Sequence, residues 1–485
     1  MERPSIVIVG AGIAGLSAAW YLSGGADGPT GRAPRIELIE SNEHVGGALR
    51  TTTFAGRTID LGADGFLARR PEAVSLVREI GWEDRLEAID ASGAWIWLRG
   101  ALGELPTGLA LGIPTSRAQV RAMAGLSWRA RLAALRDELA PARMSVGDDA
   151  TIGDIVRTKL GRELSYQFIE PMVGGIQAGR IDDLSAKSVF PPLLDAARRG
   201  GSLMKAMRPM ASVSPGPGAS QPSDGPLFYS LRDGVGSLVV ELERQLRARG
   251  VVVRTRAAVT AVRRTPSGTY PWEVDTALTT TPAHAVVLAT PATITGRLVG
   301  AYDPRLESLQ RVVSASAAMV TFAVARDQLD LPATGTGVLV PLGSPWRDGG
   351  SMMVTAITLL DRKWPRLRRD EDVVLRAHVG RIDDVRSRDM DDDTLSARVR
   401  DELSVLLGRF VNPTETRVQR WPDGLPQYYV GHDRLVADAK AAADSLGIAL
   451  CGIAYDGVGV PAGVGSGRRA ATEVAQLIDA RSRVD

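Results

Sequence analysis

The stretch from Ser5 to Glu40 constrains this chain more than any other. An apolar run, SIVIV, enters the glycine turn GAGIAG, a helical segment comes next, and IELIE ends on Glu40. The order is strand, tight turn, helix, second strand and acid. Gly10 lets the chain turn sharply. Gly12 carries no side chain to keep a pyrophosphate from the backbone N–H groups at the helix N-terminus, and Gly15 lets helix and strand pack closely. Ala11, Ile13 and Ala14 complete the turn. Glu40 is placed to accept hydrogen bonds from ribose hydroxyls, which favours a free 2′-OH and disfavours NADP. The pattern predicts a dinucleotide-binding strand–turn–helix–strand unit.

The residues just beyond Glu40 select the dinucleotide. In ESNEHVGGALRT, Gly46 and Gly47 stand six and seven residues past the acid, with Ser41, Ala48 and Arg50 around them. This run resembles the second glycine signature of the FAD-dependent amine oxidase and protoporphyrinogen oxidase superfamily. The resemblance implies that the backbone passes under the FAD pyrophosphate and that Arg50 offsets its charge. FAD, rather than NAD, is the expected cofactor.

Composition sets bounds. At 485 residues, two or three lobes are expected. A net charge of +2 argues against a nucleic-acid partner. The single cysteine, Cys451, excludes an intrachain disulfide and reads as a small buried residue closing the strand IALC. His44, His284, His378 and His432 are scattered, so no metal site is expected. No apolar stretch reaches the roughly 18 residues needed to span a bilayer, and MERPSIVIVGAG lacks the basic start of a signal peptide. A cytoplasmic location is the expectation.

Along the chain, helices are predicted from Pro71, across Ser116–Met144 and Thr151–Leu160, and from about Ser237. Strands are expected at WIWL (Trp95–Leu98), VVVRT, AAVTAVRRT and AVVLATPA, whereas SVSPGPGASQPSDGP (Ser212–Pro226) has the composition of a flexible loop. The chain closes as a strand, a glycine-rich loop and a helix beginning near Gly465. This last segment resembles the final FAD motif of the same superfamily, with Val458, Gly459 and Val460 matching the part that borders the flavin. A helix N-terminus aimed at the ring would add positive charge there.

The expected fold is α/β (α+β overall), a discontinuous Rossmann-like FAD-binding domain with a mixed-sheet substrate domain and a small helical lobe. The FAD domain is expected from 1–90, 227–295 and 438–485, the mainly helical lobe from 91–211, and the substrate domain from 296–437, with 212–226 as a loop.

The segments LGADGFLARR (Leu61–Arg70), ALGELPTGLALGIPT, EPMVGGIQAGRIDDLS, LRDGVGSLV, WPDGLPQYYVGH and YDGVGVPAGVGSGRRAA occur in this order. Together they resemble the porphyrinogen oxidases, and most closely their bacterial coproporphyrinogen III oxidase (HemY-type) branch. The resemblance places Gly62, Ala63, Asp64 and Gly65 beside the isoalloxazine, Val259 at the adenine end, and Trp421 against the flavin. Two departures stand out. The family run GIYAGD is GIQAGR here, so Gln177 and Arg180 replace a tyrosine and an acid. Ala94 stands where eukaryotic relatives carry an arginine thought to meet a substrate propionate.

The resemblance implies oxidation of coproporphyrinogen III to coproporphyrin III in haem biosynthesis, with molecular oxygen as acceptor and hydrogen peroxide as co-product. Protoporphyrinogen IX is the alternative substrate. An amine oxidase-like or carotenoid desaturase-like flavoenzyme and a flavin-binding protein without turnover are more distant alternatives. No side chain is assigned as catalytic base. The backbone at Gly174 and Gly175 is the expected guide for the macrocycle, because glycine permits close approach. Arg70 and Arg180 are candidate partners for propionates, with Arg69 as second choice. The arginine-rich segment Ser116–Met144 suits peripheral contact with an anionic membrane surface. Other haem-pathway enzymes are expected as hand-over partners.

Overall fold

A computed structural model describes residues 3–28, 33–89, 93–142, 144–211, 226–265, 269–329, 334–347 and 349–482. The stretch read as a flexible loop lies, apart from Pro226, outside them.

The first unit is built on a five-stranded parallel sheet. Its strands run in the order Val252–Arg254, Arg35–Ile39, Ser5–Val9, Ala285–Leu288 and Ile448–Leu450. Three distant parts of the chain thus share one sheet. The central strand is an unbroken apolar run because both its faces are covered. Ile6 and Ile8 meet a core formed with the helices Ile13–Leu22, Gly236–Ala248 and Val460–Ser482. Val7 and Val9 meet Trp272, Val274 and Ala283 of a three-stranded antiparallel layer, together with the helices Ala292–Val299 and His432–Leu446.

The second unit is a seven-stranded sheet in the order Glu415–Pro426, Ser314–Ala325, Asp372–Val379, Val354–Leu359, Gly337–Leu339, Trp95–Leu98 and Ala101–Glu104. One face carries Val320, Phe322, Ile357, Leu375 and Ala377 and packs on Leu395, Val399 and Leu403 of the helix Asp392–Leu406. Register puts Ala317, Met319, Thr321, Ala356, Thr358, Leu339, Arg376, His378, Gln419 and Trp421 on the opposite face. The third unit is a helical lobe whose core includes Val120, Ala134, Ile155, Phe168, Val173 and Leu193.

Three features differ from the sequence reading. The WIWL hairpin lies within the stretch assigned to the helical lobe, yet its strands extend the seven-stranded sheet. The helices from Ala292 and His432 pack on the five-stranded sheet, although the expected boundaries 296 and 437 cut through both and placed part of each in the expected substrate domain. The last helix starts at Val460 rather than near Gly465. Its glycines serve helix packing: a Cβ on Gly467 would overlap the Ala14 carbonyl, and one on Gly463 would lie 2.7 Å from Ile13. Local propensity reads such glycines as loop, but the close approach to Ile13–Leu22 overrides it.

Candidate active site

The dinucleotide turn has the geometry its glycines require. Gly10 adopts φ +97°, and a Cβ there would sit 2.7 Å from the Ala289 carbonyl. A Cβ on Gly15 would overlap the Gly10 carbonyl, whereas one on Gly12 would meet no protein atom within 4 Å. Gly12 is also the N-cap of the helix Ile13–Leu22, and no side chain caps that end. The turn therefore offers N–H groups to open space, the arrangement an anionic pyrophosphate needs.

The second glycine run docks directly on the first. Gly46 donates its N–H to the Ala11 carbonyl at 2.7 Å, and a Cβ on Gly47 would lie 3.6 Å from the Gly12 Cα. Among the described residues Arg50 is exposed and its guanidinium has no protein partner, so its charge is available to a phosphate. Glu40 is buried and accepts from the Ala11 N–H at 2.8 Å, from the Asn42 N–H and side-chain amide, and from the Ser41 hydroxyl at 3.2 Å. Three of these bonds go to Oε1, whereas Oε2 carries only the Ala11 bond and keeps a lone pair for a ribose hydroxyl. The chain leading to Val259 passes beside this acid, because the Ala257 N–H donates to the Glu40 carbonyl at 2.9 Å. Open glycines, an uncapped helix end, a free arginine and a tethered acid together fit FAD.

The loop Gly62–Gly65 is held from the seven-stranded sheet. Trp421 donates its indole N–H to the Leu61 carbonyl at 3.3 Å, and its ring would stand 3.5 Å from a Cβ on Gly62. Arg376, 2% exposed, donates to the carbonyls of Asp60 and Gly62, the latter at 3.2 Å. Asp64 pairs with Lys363 at 2.8 Å. Burial works against the Asp64 charge, but Lys363 and Arg376 outweigh it and hold the carboxyl below the ordinary range. Asp60 goes the other way: burial pushes it up to about 6, against hydrogen bonding from Gly236 and the charge of Arg366. Ala63 is exposed, and Val458–Gly459 leads into the N-terminus of the last helix, with Gly459 at φ +99°.

The expected substrate groups separate. Gly174 is wedged against Arg381, which is paired with the buried Glu170, and a Cβ there would lie 2.7 Å from its guanidinium. Gly175 faces open space, with no atom within 4 Å of its Cβ position. Arg180 is engaged by Asp383 at 2.7 Å and Asp182 at 3.3 Å. Arg70 is engaged by Glu72 at 2.8 Å, whereas the exposed Arg69 has no partner among the described residues. Sequence reading missed Lys363, Arg376 and His378. The signal was present in VVLRAHV, where two polar residues at period two interrupt an apolar strand on one face.

Comparison with known proteins agrees with this geometry. The chain is 34% identical over 485 residues to a coproporphyrinogen III oxidase of Mycobacterium tuberculosis, covering 99% of both chains. It is 29% identical over 474 residues to a coproporphyrinogen III oxidase of Bacillus subtilis, covering 97% of this chain and 98% of that one. Its fold matches a crystal structure described as a candidate protoporphyrinogen oxidase from Exiguobacterium sp. 255-15. The TM-score is 0.85 at 30% identity, over 99% of this chain and 100% of that one. The sequence profile of the flavin containing amine oxidoreductases matches residues 13–475. The fold is that of an FAD-binding flavoenzyme, and the chain belongs to the flavin containing amine oxidoreductase family.

Proposed function

We propose that this protein is an FAD-dependent coproporphyrinogen III oxidase that uses molecular oxygen and releases hydrogen peroxide. Full-length correspondence with coproporphyrinogen III oxidases carries the reading. The open sheet face beside the flavin loop supports it. Bound FAD supplies the two-electron acceptor. The chain's own residues hold and shield the reactants. Gly12, Gly47 and Arg50 receive the pyrophosphate, Glu40 the ribose, and the segment at Val259 the adenine end. Gly62–Gly65, Trp421 and Val458–Val460 border the ring. Gly175 admits the macrocycle. Arg69 and Arg70 stand beyond the flavin loop to meet propionates, with Arg69 the freer charge.

Under air, the purified yellow protein should release three equivalents of hydrogen peroxide per coproporphyrin formed, the stoichiometry of a six-electron oxidation in two-electron steps. Porphyrin formation without peroxide would overturn oxygen as acceptor, and no porphyrin would overturn the activity.

The helical lobe supports a finer assignment, peripheral contact with an anionic bilayer. Among the described residues no helix is long and apolar enough to cross a membrane. On the helix Trp128–Leu139, however, Trp128, Leu132 and Leu139 are 70%, 62% and 71% exposed, with Arg129 and Arg136 also exposed beside them. The acids of this segment turn inward: Asp137 accepts from Ser202 and from the Met204 N–H, and Glu138 pairs with Arg117 and Arg208. An aromatic and aliphatic face flanked by arginines suits a headgroup surface. Leu132→Glu should lower co-sedimentation with phosphatidylglycerol vesicles without changing porphyrinogen turnover. Equal sedimentation of both proteins would remove the contact.

A further inference from the structure

The open face of the substrate sheet carries a titratable side chain that neither cofactor binding nor propionate binding employs. His378 sits on the interior strand Asp372–Val379, with Met319 as neighbour on one side and Ala356 on the other. The far face of these strands is sealed, with Val320, Ile357, Leu375 and Ala377 at most 2% exposed. On the near face His378, Met319, Ala356 and Leu339 are each partly exposed. Partial exposure in the middle of a seven-stranded sheet requires an opening above it.

Both ends of that opening are defined. At one end Arg376 and Trp421, on the same face, reach the carbonyls of Gly62 and Leu61 in the flavin loop. At the other, Leu339 packs against the helical lobe, whose helix Glu170–Gln177 contacts the strands Gly337–Leu339 and Val354–Leu359. Gly175 leaves open space on that helix. His378 lies on the sheet between the flavin loop and this helix.

We propose that His378 accepts the pyrrole N–H protons of the porphyrinogen in this opening, an inference that rests on the proposed coproporphyrinogen oxidase activity. Each two-electron step breaks one C–H bond at a bridging carbon, with hydride passing to the flavin, and one N–H bond, with the proton passing to His378. The electrons left in the N–H bond become part of the new conjugated double bonds. Three such steps remove six electrons and six protons, with His378 returning each accepted proton to water before the next. A final shift of one proton from the last bridging CH2 to a ring nitrogen gives the porphyrin its four methine carbons and two N–H groups.

The imidazole is set up for this role. Its Nε2 lies 3.2 Å from the Thr358 hydroxyl. With Nε2–H donating there, Nδ1 is left as the acceptor, and it has no partner among the described residues. The charged groups around it are Arg376 on its own strand, Asp64 in the flavin loop and Lys363 above the sheet. Burial, reinforced by Arg376, brings the imidazole down to about 4, so it is neutral and proton-accepting at pH 7. A weak base suffices, because loss of hydride leaves a cationic ring whose N–H is far more acidic than that of a pyrrole.

The test uses the FAD-loaded enzyme with coproporphyrinogen III. His378→Gln keeps a hydrogen-bonding partner for Thr358 but removes the base. Its kcat should fall about 100-fold, the scale of a positioned proton acceptor. FAD content, thermal midpoint and coproporphyrin affinity should stay within about twofold of wild type. In His378→Ala, added imidazole should restore turnover, rising with pH through about 7 as free imidazole loses its proton. Unchanged kcat in the glutamine variant overturns the proposal, as does weakened coproporphyrin binding with kcat intact. Absence of imidazole rescue likewise overturns it. A wild-type protein that oxidises no porphyrinogen overturns the substrate reading itself, a result separate from any variant's failure.

Discussion

Arg376 of the seven-stranded sheet donates to the carbonyl of Gly62 in the loop Gly62–Gly65 at 3.2 Å, from a site where the arginine is 2% exposed. Burial lowers the basicity of this guanidinium, a cost met by two main-chain carbonyls and the nearby Asp60 and Asp64. The consequence is mechanical: the strand Asp372–Val379 also sets the height of the loop Gly62–Gly65, which in the proposed function borders the flavin. Arg376→Met should strand both carbonyls and cost roughly 2–4 kcal/mol of stability. It should also loosen FAD. Thermal unfolding and FAD dialysis check this, and a variant with wild-type midpoint and retention would show that the bond positions nothing.

Gly12 and Gly15 make opposite predictions although they share one motif. Gly12→Val places atoms where the protein has none within 4 Å, at an ordinary φ of −66°. It should fold and purify colourless, with unchanged far-UV circular dichroism and no flavin absorbance. A yellow variant would refute the cofactor assignment. Gly15→Ala puts a methyl into the Gly10 carbonyl. It should lose about 1–3 kcal/mol by overpacking, with or without added FAD.

Asp60 predicts a pH dependence of stability. Its carboxyl is pushed up to about 6 by burial from an ordinary 3.8. The folded state therefore holds this proton over a window where the unfolded state has released it. Stability contributed by the protonated group is present below about pH 4 and is lost as pH rises to about 6, a change of about 3 kcal/mol. Asp60→Asn should flatten this part of the profile. Chemical denaturation between pH 4 and 7 reads the difference, and parallel profiles for the two proteins would remove Asp60 as its source.

The propionate assignment separates the two arginines. Arg70 already holds Glu72, whereas Arg69 has no partner among the described residues. Arg69→Ala should therefore raise KM for coproporphyrinogen by about tenfold, the loss of one charge-assisted hydrogen bond. Arg70→Ala should raise it less. Both effects should be smaller for protoporphyrinogen, which has two fewer carboxylates. Equal effects on the two substrates would take these arginines away from the propionates.

The nucleotide cradle is legible in the sequence because each glycine answers a local demand. Gly10, Gly12 and Gly15 lie within six residues and are fixed by one turn, so sequence adjacency carries the geometry. The final helix is misread for the same reason in reverse. Gly463 and Gly467 look like loop residues until the helix Ile13–Leu22, at the opposite end of the chain, is seen to pack against them. Arg376, Lys363 and His378 escape a sequence reading because their roles arise from sheet register and from contacts across domains. Lys363 meets Asp64 across 299 residues of sequence, and Arg376 meets Gly62 across 314. No local pattern encodes such a meeting. Only the period-two polar pair in VVLRAHV marks that face as special.

Parallel initial-rate measurements of porphyrin fluorescence, with coproporphyrinogen III and protoporphyrinogen IX supplied to the purified FAD-loaded protein under air, test the proposed activity most directly. Coproporphyrinogen III should give faster turnover and a lower KM. A clear preference for protoporphyrinogen IX, or a yellow protein that oxidises neither, would contradict it.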